Sequence, residues 1–214
     1  MATRPEYRRR GLFHALMARA LAEADARFEC LLLYTETPEL YRPFGFRALE
    51  QRAFLGRVAG CRDAACAPRP RRLSLTEPSD LALLQELFDG RCPVSGHLGL
   101  QDHRASFLLT APCYPDWRLD HLVGEEAVVV HERRDGRVRL IDVVCRRFPG
   151  TAALAAVLDP EAKNREFEVL FPPDRLGDRF EERRYRHPEG DVLMVRGPFA
   201  IEGSAFMLPP TAAF

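Results

Sequence analysis

The sequence predicts a mixed α/β (α+β) fold, a mixed β-sheet with flanking helices. Three observations predict it. Stretches with helical apolar spacing alternate with short β-branched or continuous apolar runs. An Asp135-Gly136 pair divides two such runs as a tight hairpin turn does. A chain of 214 residues, 46% of them hydrophobic, is long enough and apolar enough to bury a core as one large domain or two small ones.

The elements follow in order. Leu12, Leu16, Ala20 and Ala24 recur at i, i+4, and Phe13, Met17 and Leu21 widen the stripe, so residues 11–26 predict a helix. The continuous apolar run in 28–36 reads as a strand buried on both faces. Pro38 opens a short helix, which Pro43 and Gly45 end. Residues 46–54 supply a further strand or two. Periodicity then collapses across 57–72, a Pro- and Arg-rich stretch that reads as a linker. A helix beginning near Pro78, capped by Thr76 or Ser79 and closed by Gly90, starts a second unit. A helix near 102–111, the Asp135-Gly136 hairpin, a helix over 151–158 and strands in 165–171 and 191–199 complete it. The expected organisation is 1–56, a linker at 57–72, and a second α/β unit over 73–214.

Composition excludes several classes. Basic and acidic residues balance at 31 each, so no global field draws the chain to nucleic acid or to an acidic membrane. No apolar run approaches the roughly 18 residues of a membrane-spanning helix. The first ten residues carry no apolar stretch behind their charges, unlike a signal peptide. These features predict a soluble, cytoplasmic protein. Cys30 and Cys145 lie in apolar runs as buried thiols, and the Cys61/Cys66 spacing does not suit a zinc site, so no metal is expected.

One stretch points to chemistry. In Glu6-Tyr-Arg-Arg-Arg-Gly-Leu-Phe13 a basic turn runs into a helix start. Backbone amides at a helix N-terminus and the helix dipole favour an anion, Gly11 permits close approach, and arginines pair with phosphate. Arginines merely solvated at a helix start are the plainer alternative.

Residues 7–49 as a whole resemble the core of the GNAT superfamily of acyl-CoA N-acyltransferases. That family has Arg or Gln, two residues, Gly, one residue, then Gly or Ala, followed by an amphipathic helix, a buried strand, and a Tyr shortly before Gly-Phe. Arg8, Gly11, the helix, residues 30–35, Tyr41 and Phe44-Gly45-Phe46 fall in that order, with Phe13 where the family has Gly or Ala. The resemblance implies a GNAT-like fold whose N-terminal half is lacking, with residues 1–56 as its C-terminal half. It implies that Arg8, Arg9, Arg10, Gly11, Leu12 and Phe13 hold the pyrophosphate of acetyl-CoA, the co-substrate. It implies that Tyr41 protonates the leaving thiolate, against the alternative of a packed core tyrosine. Glu36, beside Glu39, lies where the acceptor amine approaches in that family, against the alternative of a solvated loop carboxylate. The implied activity is N-acetyl transfer to a primary amine of a small molecule or peptide by direct attack. A truncated, inactive binding module is the alternative. A homo-oligomer is also an expectation. Arg147, Gly150 and Ala152 weakly resemble a second copy of the turn. Pro149 removes an amide there, so the second unit reads as a non-catalytic, degenerate copy.

Overall fold

The computed structural model describes residues 4–57, 69–160, 166–177 and 180–212. The chain divides into two compact units, Met1–Glu50 with Arg186–Glu202, and Gln51–Tyr185 with Gly203–Phe214. The division departs from the expected 1–56 and 73–214 at both ends.

In the first unit, helix α1 (Leu12–Asp25) precedes strand β1 (Leu31–Thr35). Two 3-10 turns, Pro38–Leu40 and Arg42–Phe44, lead to the short strand β2 (Arg47–Ala48). The last strand of the chain, β10 (Val192–Arg196), lies between β1 and β2 and is antiparallel to both. This corrects the expectation that the terminal strand completes the second unit. Leu193, Met194 and Val195 are buried, and Met194 joins Met17, Leu21, Phe44 and Phe46 in one apolar cluster. A strand gives up water on its backbone only where another strand accepts its hydrogen bonds, and β10 fills that role for β1 and β2. The turn after β10 depends on glycine. Gly197 has φ 89°, and a Cβ there would stand 2.0 Å from the Glu29 carbonyl oxygen.

Helix α1 buries only part of the expected stripe. Met17 and Leu21 are buried and Phe13 packs beside them, whereas Leu12 and Leu16 are about half exposed, at 47% and 52%. Both seams have i, i+4 spacing, and contact with Met194 and Phe44 selects the second.

The second unit is built on a seven-stranded sheet in the order β4-β5-β6-β7-β8-β3-β9. These strands are β3 (Arg52–Gly56), β4 (Arg71–Arg72), β5 (Arg118–Leu122), β6 (Ala127–Arg134), β7 (Arg137–Cys145), β8 (Phe167–Val169) and β9 (Phe180–Arg184). All neighbours are antiparallel except β7 and β8, which are joined through helix α4 (Thr151–Leu158). A parallel pair needs such a crossover. Helix α2 (Pro78–Asp89) packs against β7, helix α3 (Arg104–Thr110) forms within the expected 102–111, and α4 packs against β6. The Asp135-Gly136 hairpin forms as expected, with φ 51° and 76° at its two central residues, the doubly positive turn that matches strand twist.

Three details differ from the sequence reading. Arg71 and Arg72, at the end of the expected linker, form β4 and pair with His121 and Asp120. Residues 58–68 of that linker, with Cys61 and Cys66, lie outside the described residues. Neither Thr76 nor Ser79 caps α2. The N-cap is Glu77, and Asp80 instead accepts the Ser74 N–H at 2.8 Å and an Arg71 N–H at 2.6 Å, which together hold its carboxyl below the usual range. Strands β5 and β9 escaped the sequence reading because their charged residues obscure the alternation. Charges on β9, an edge strand, discourage further strand pairing. Among the described residues no helix is long and apolar enough to cross a membrane.

A buried polar network ties the C-terminal segment of this unit to its sheet. The Asp142 carboxylate on β7 accepts from Arg91 (2.8 Å) and from the Thr211 hydroxyl (2.7 Å), and lies 3.0 Å from His103 Nε2. Arginine only donates, so the 2.8 Å contact of Arg91 with His103 Nδ1 makes that nitrogen the acceptor and places the ring proton on Nε2, toward Asp142.

Candidate functional site

The sequence-predicted site residues lie in the first unit. A 3-10 turn, Pro5–Tyr7, ends with the Arg8 N–H donating to the Pro5 carbonyl at 3.3 Å. Arg9 and Gly11 then both adopt the left-handed conformation, φ 60° and 71°. Glycine takes it freely; at an arginine it is uncommon. Gly11 is the N-cap of α1 and offers no side chain to cap it. The Ala15 N–H bonds to the Gly11 carbonyl at 3.0 Å, so the amides of Leu12, Phe13 and His14 precede the helical ladder and have no acceptor within it. Among the described residues, a Cβ on Gly11 would meet nothing within 4 Å. The amides belong to a largely exposed turn beside three exposed arginines, Arg8, Arg9 and Arg10, with the Arg10 guanidinium 5.3 Å from the centre of the Tyr7 ring. Helix dipole, uncapped amides and guanidinium groups all carry the same sign, and the turn suits a phosphate.

Tyr41 stands between the two 3-10 turns, half-buried. Its ring meets Phe13 edge-on at 5.8 Å and Phe46 at 6.1 Å. Phe13 also meets Phe44 at 6.0 Å, and His14 packs on Phe44 at 4.6 Å. The structure thus brings Tyr41 to the turn before α1 through Phe13, the second residue of α1. The side chain larger than the Gly or Ala of the family pattern forms the link between them. Glu36 stands exposed in the bend after β1, where the Thr37 N–H bonds to Thr35 Oγ1 at 3.0 Å. Glu39 is exposed and lies 3.8 Å from Arg42.

One supporting residue lies far away in sequence. Arg196, at the end of β10, donates to the Phe44 carbonyl at 2.6 Å and pairs with Asp25 at the end of α1. Its hydrogen bond holds the Asp25 carboxyl below the usual range. Arg196 therefore joins the turn that carries Tyr41 to the helix that begins at Gly11. No local pattern in residues 191–199 marks it, because its partners are residues 25 and 44.

The turn at Gly150 has other geometry. Gly150, the N-cap of α4, is extended at φ −62°, and a Cβ there would lie 3.8 Å from the Glu125 carboxylate. A carboxylate at that mouth opposes an anion. The ligand atoms of His187, Glu189 and Asp191 lie within 4.8 Å of one another in the turn before β10. The Glu189 N–H already donates to His187 Nδ1 there, at 3.4 Å.

Comparison with known proteins places these observations. A family model described as an acetyltransferase (GNAT) domain matches residues 1–49. No curated protein matches the chain by sequence. Several solved structures share its fold. A GCN5-related N-acetyltransferase from Kribbella flavida is 20% identical, with 91% of this chain and 50% of that one covered and a TM-score of 0.52. Eis1 from Mycobacterium abscessus is 19% identical, with 92% and 55% covered and a TM-score of 0.52. A probable N-acyltransferase from Enterococcus faecalis is 15% identical, with 92% and 52% covered and a TM-score of 0.54. The chain spans about half the length of these structures.

Proposed function

We propose that the chain, whose residues 1–49 match the GNAT acetyltransferase domain model, belongs to the GNAT superfamily and contributes to an acetyl-CoA-dependent N-acetyltransferase acting on a primary amine of a small molecule or peptide. The observation that carries this reading is the exposed turn at Arg9 and Gly11, left-handed at both residues, which leads into helix amides without a side-chain cap.

Acetyl-CoA would supply the acetyl group as a thioester for the acceptor amine to attack directly. The amides of Gly11, Leu12 and Phe13 would hold the pyrophosphate, and the guanidinium groups of Arg8 and Arg10 would neutralise it. The Tyr41 hydroxyl would give its proton to the departing thiolate, and the Tyr41 ring would keep its place by packing on Phe13 and Phe46. Glu36, exposed in the bend after β1, would attract the acceptor ammonium and take a proton from it through water. The Gly150 turn, faced by Glu125, fits a unit without cofactor of its own.

Thermal unfolding with CoA tests this. CoA at about 100 times its Kd should raise the Tm by roughly 5 °C. Gly11→Asp and Gly11→Asn provide matched variants, since both side chains tolerate the left-handed region and differ chiefly in charge. Near a diphosphate at about 5 Å in water, the added charge costs enough to weaken CoA roughly tenfold relative to Gly11→Asn. No shift at millimolar CoA, or equal affinity in the two variants, refutes the assignment of the turn and leaves the non-catalytic module.

A further inference from the structure

Two cysteines of the second unit take no part in the proposed chemistry. Cys145 ends β7 and is fully buried, and Cys92 is half-buried in the segment after α2. The Cys92 N–H donates to the Cys145 carbonyl at 2.8 Å, and their sulfurs lie 3.6 Å apart. The same two segments are joined again by the buried Arg91–Asp142 pair at 2.8 Å. A backbone hydrogen bond between the two residues themselves holds their chains at a spacing that disulfides span. Closing the sulfurs to the bonded distance of about 2.05 Å is then a matter of side-chain rotation.

We propose that Cys92 and Cys145 form a reversible dithiol–disulfide pair, oxidised by a peroxide. The exposed edge of Cys92 is the point of entry. The Cys92 thiol gives up its proton and its thiolate attacks the peroxide, the O–O bond breaks, Cys92 becomes a sulfenic acid, and the departing hydroxide takes up that proton as one water. The Cys145 sulfur then attacks the Cys92 sulfur, the S–O bond breaks, and the departing hydroxide takes the Cys145 proton as a second water. Two thiols are oxidised by two electrons and one peroxide is reduced to two waters. Burial, with the neighbouring Cys92 second, pushes the Cys145 thiol up, so Cys145 is the resolving partner and Cys92 the one that meets oxidant first. The closed bond secures the segment after α2 to β7 at the end of the sheet.

The test treats the full-length, folded chain with hydrogen peroxide, alkylates the remaining thiols, and digests without reduction. Trypsin leaves Cys92 in peptide 92–104, Cys145 in 140–146 and the exposed Cys113 in 105–118, so the three report separately. The expected product is peptide 92–104 joined to 140–146, two hydrogens lighter than the pair and separated again by dithiothreitol. The Tm of the oxidised protein should rise by about 5 °C or more. Cys92→Ser should remove that rise and Cys113→Ser should keep it. The proposal is overturned if, at a dose that oxidises Cys113, the two peptides are recovered singly, as sulfinic or sulfonic acids, or joined to other cysteines. Peptide mapping needs no variant, so a substitution that fails to fold leaves the test intact, and a null result for CoA binding leaves it unaffected.

Discussion

Replacing Asp142 by Asn should be the most damaging isosteric change in the second unit. Both Asp142 and Arg91 have side chains at most 1% exposed. Burial works to raise the Asp142 carboxyl, but the Arg91 charge, the His103 hydrogen bond and the Thr211 hydroxyl outweigh it and hold the carboxyl well below the usual range. The amide keeps one acceptor for the Val143 N–H, which now lies 2.8 Å from Oδ1. It also turns a donor toward His103 Nε2–H and strands the guanidinium without a counter-charge. Breaking a buried pair from one side costs about 3–5 kcal/mol. For a chain of this size that lowers the Tm by roughly 10 °C. The pH dependence follows from the direction of the shift. A carboxyl held low in the folded state contributes fully above its unfolded value near 4, and loses that contribution as pH falls below about 4 toward its folded value. The gap in Tm between wild type and Asp142→Asn should therefore be large at pH 7 and should narrow at pH 3. Adding Arg91→Met should cost less than the sum of the single changes, because it removes the stranded charge. Calorimetry measures all three quantities. A loss under 2 °C at pH 7 or a gap independent of pH would show the network to be energetically idle.

Two further substitutions probe the first unit. Tyr41→Phe keeps the ring contacts with Phe13 and Phe46, so CoA binding and Tm should hold while turnover falls about ten- to a thousand-fold; wild-type turnover would make Tyr41 a packing residue. Gly197→Ala drives a methyl group against the Glu29 carbonyl in a left-handed turn, at a cost of about 2–4 kcal/mol. Amide exchange should quicken in β1 and β10 and stay unchanged in β6 and β7, and protection of β1 equal to wild type would refute the contact.

The sequence by itself determined what depends on neighbours along the chain. The α1 and α4 helices follow from apolar spacing, and the β6–β7 hairpin from Asp135-Gly136, where both residues take positive φ. The basic turn before α1 was legible for the same reason, since helix start, glycine and arginines occupy six consecutive positions from Arg8 to Phe13. Tertiary structure decided what depends on distant partners. Leu12/Leu16 and Met17/Leu21 are equally helical seams, and Met194, some 170 residues on, sits in the apolar cluster with the second. β10 reads locally as a strand of whichever unit precedes it, and becomes the centre of the first sheet only because β1 and β2 both require its backbone. Arg196 gains its role from a carbonyl at Phe44 and a carboxylate at Asp25, and Cys92 gains a partner only where β7 ends beside it. Periodicity and turn chemistry act over a few residues and are written in local order. Strand pairing, seam choice and side-chain encounters across the fold are set by which surfaces can lose water together.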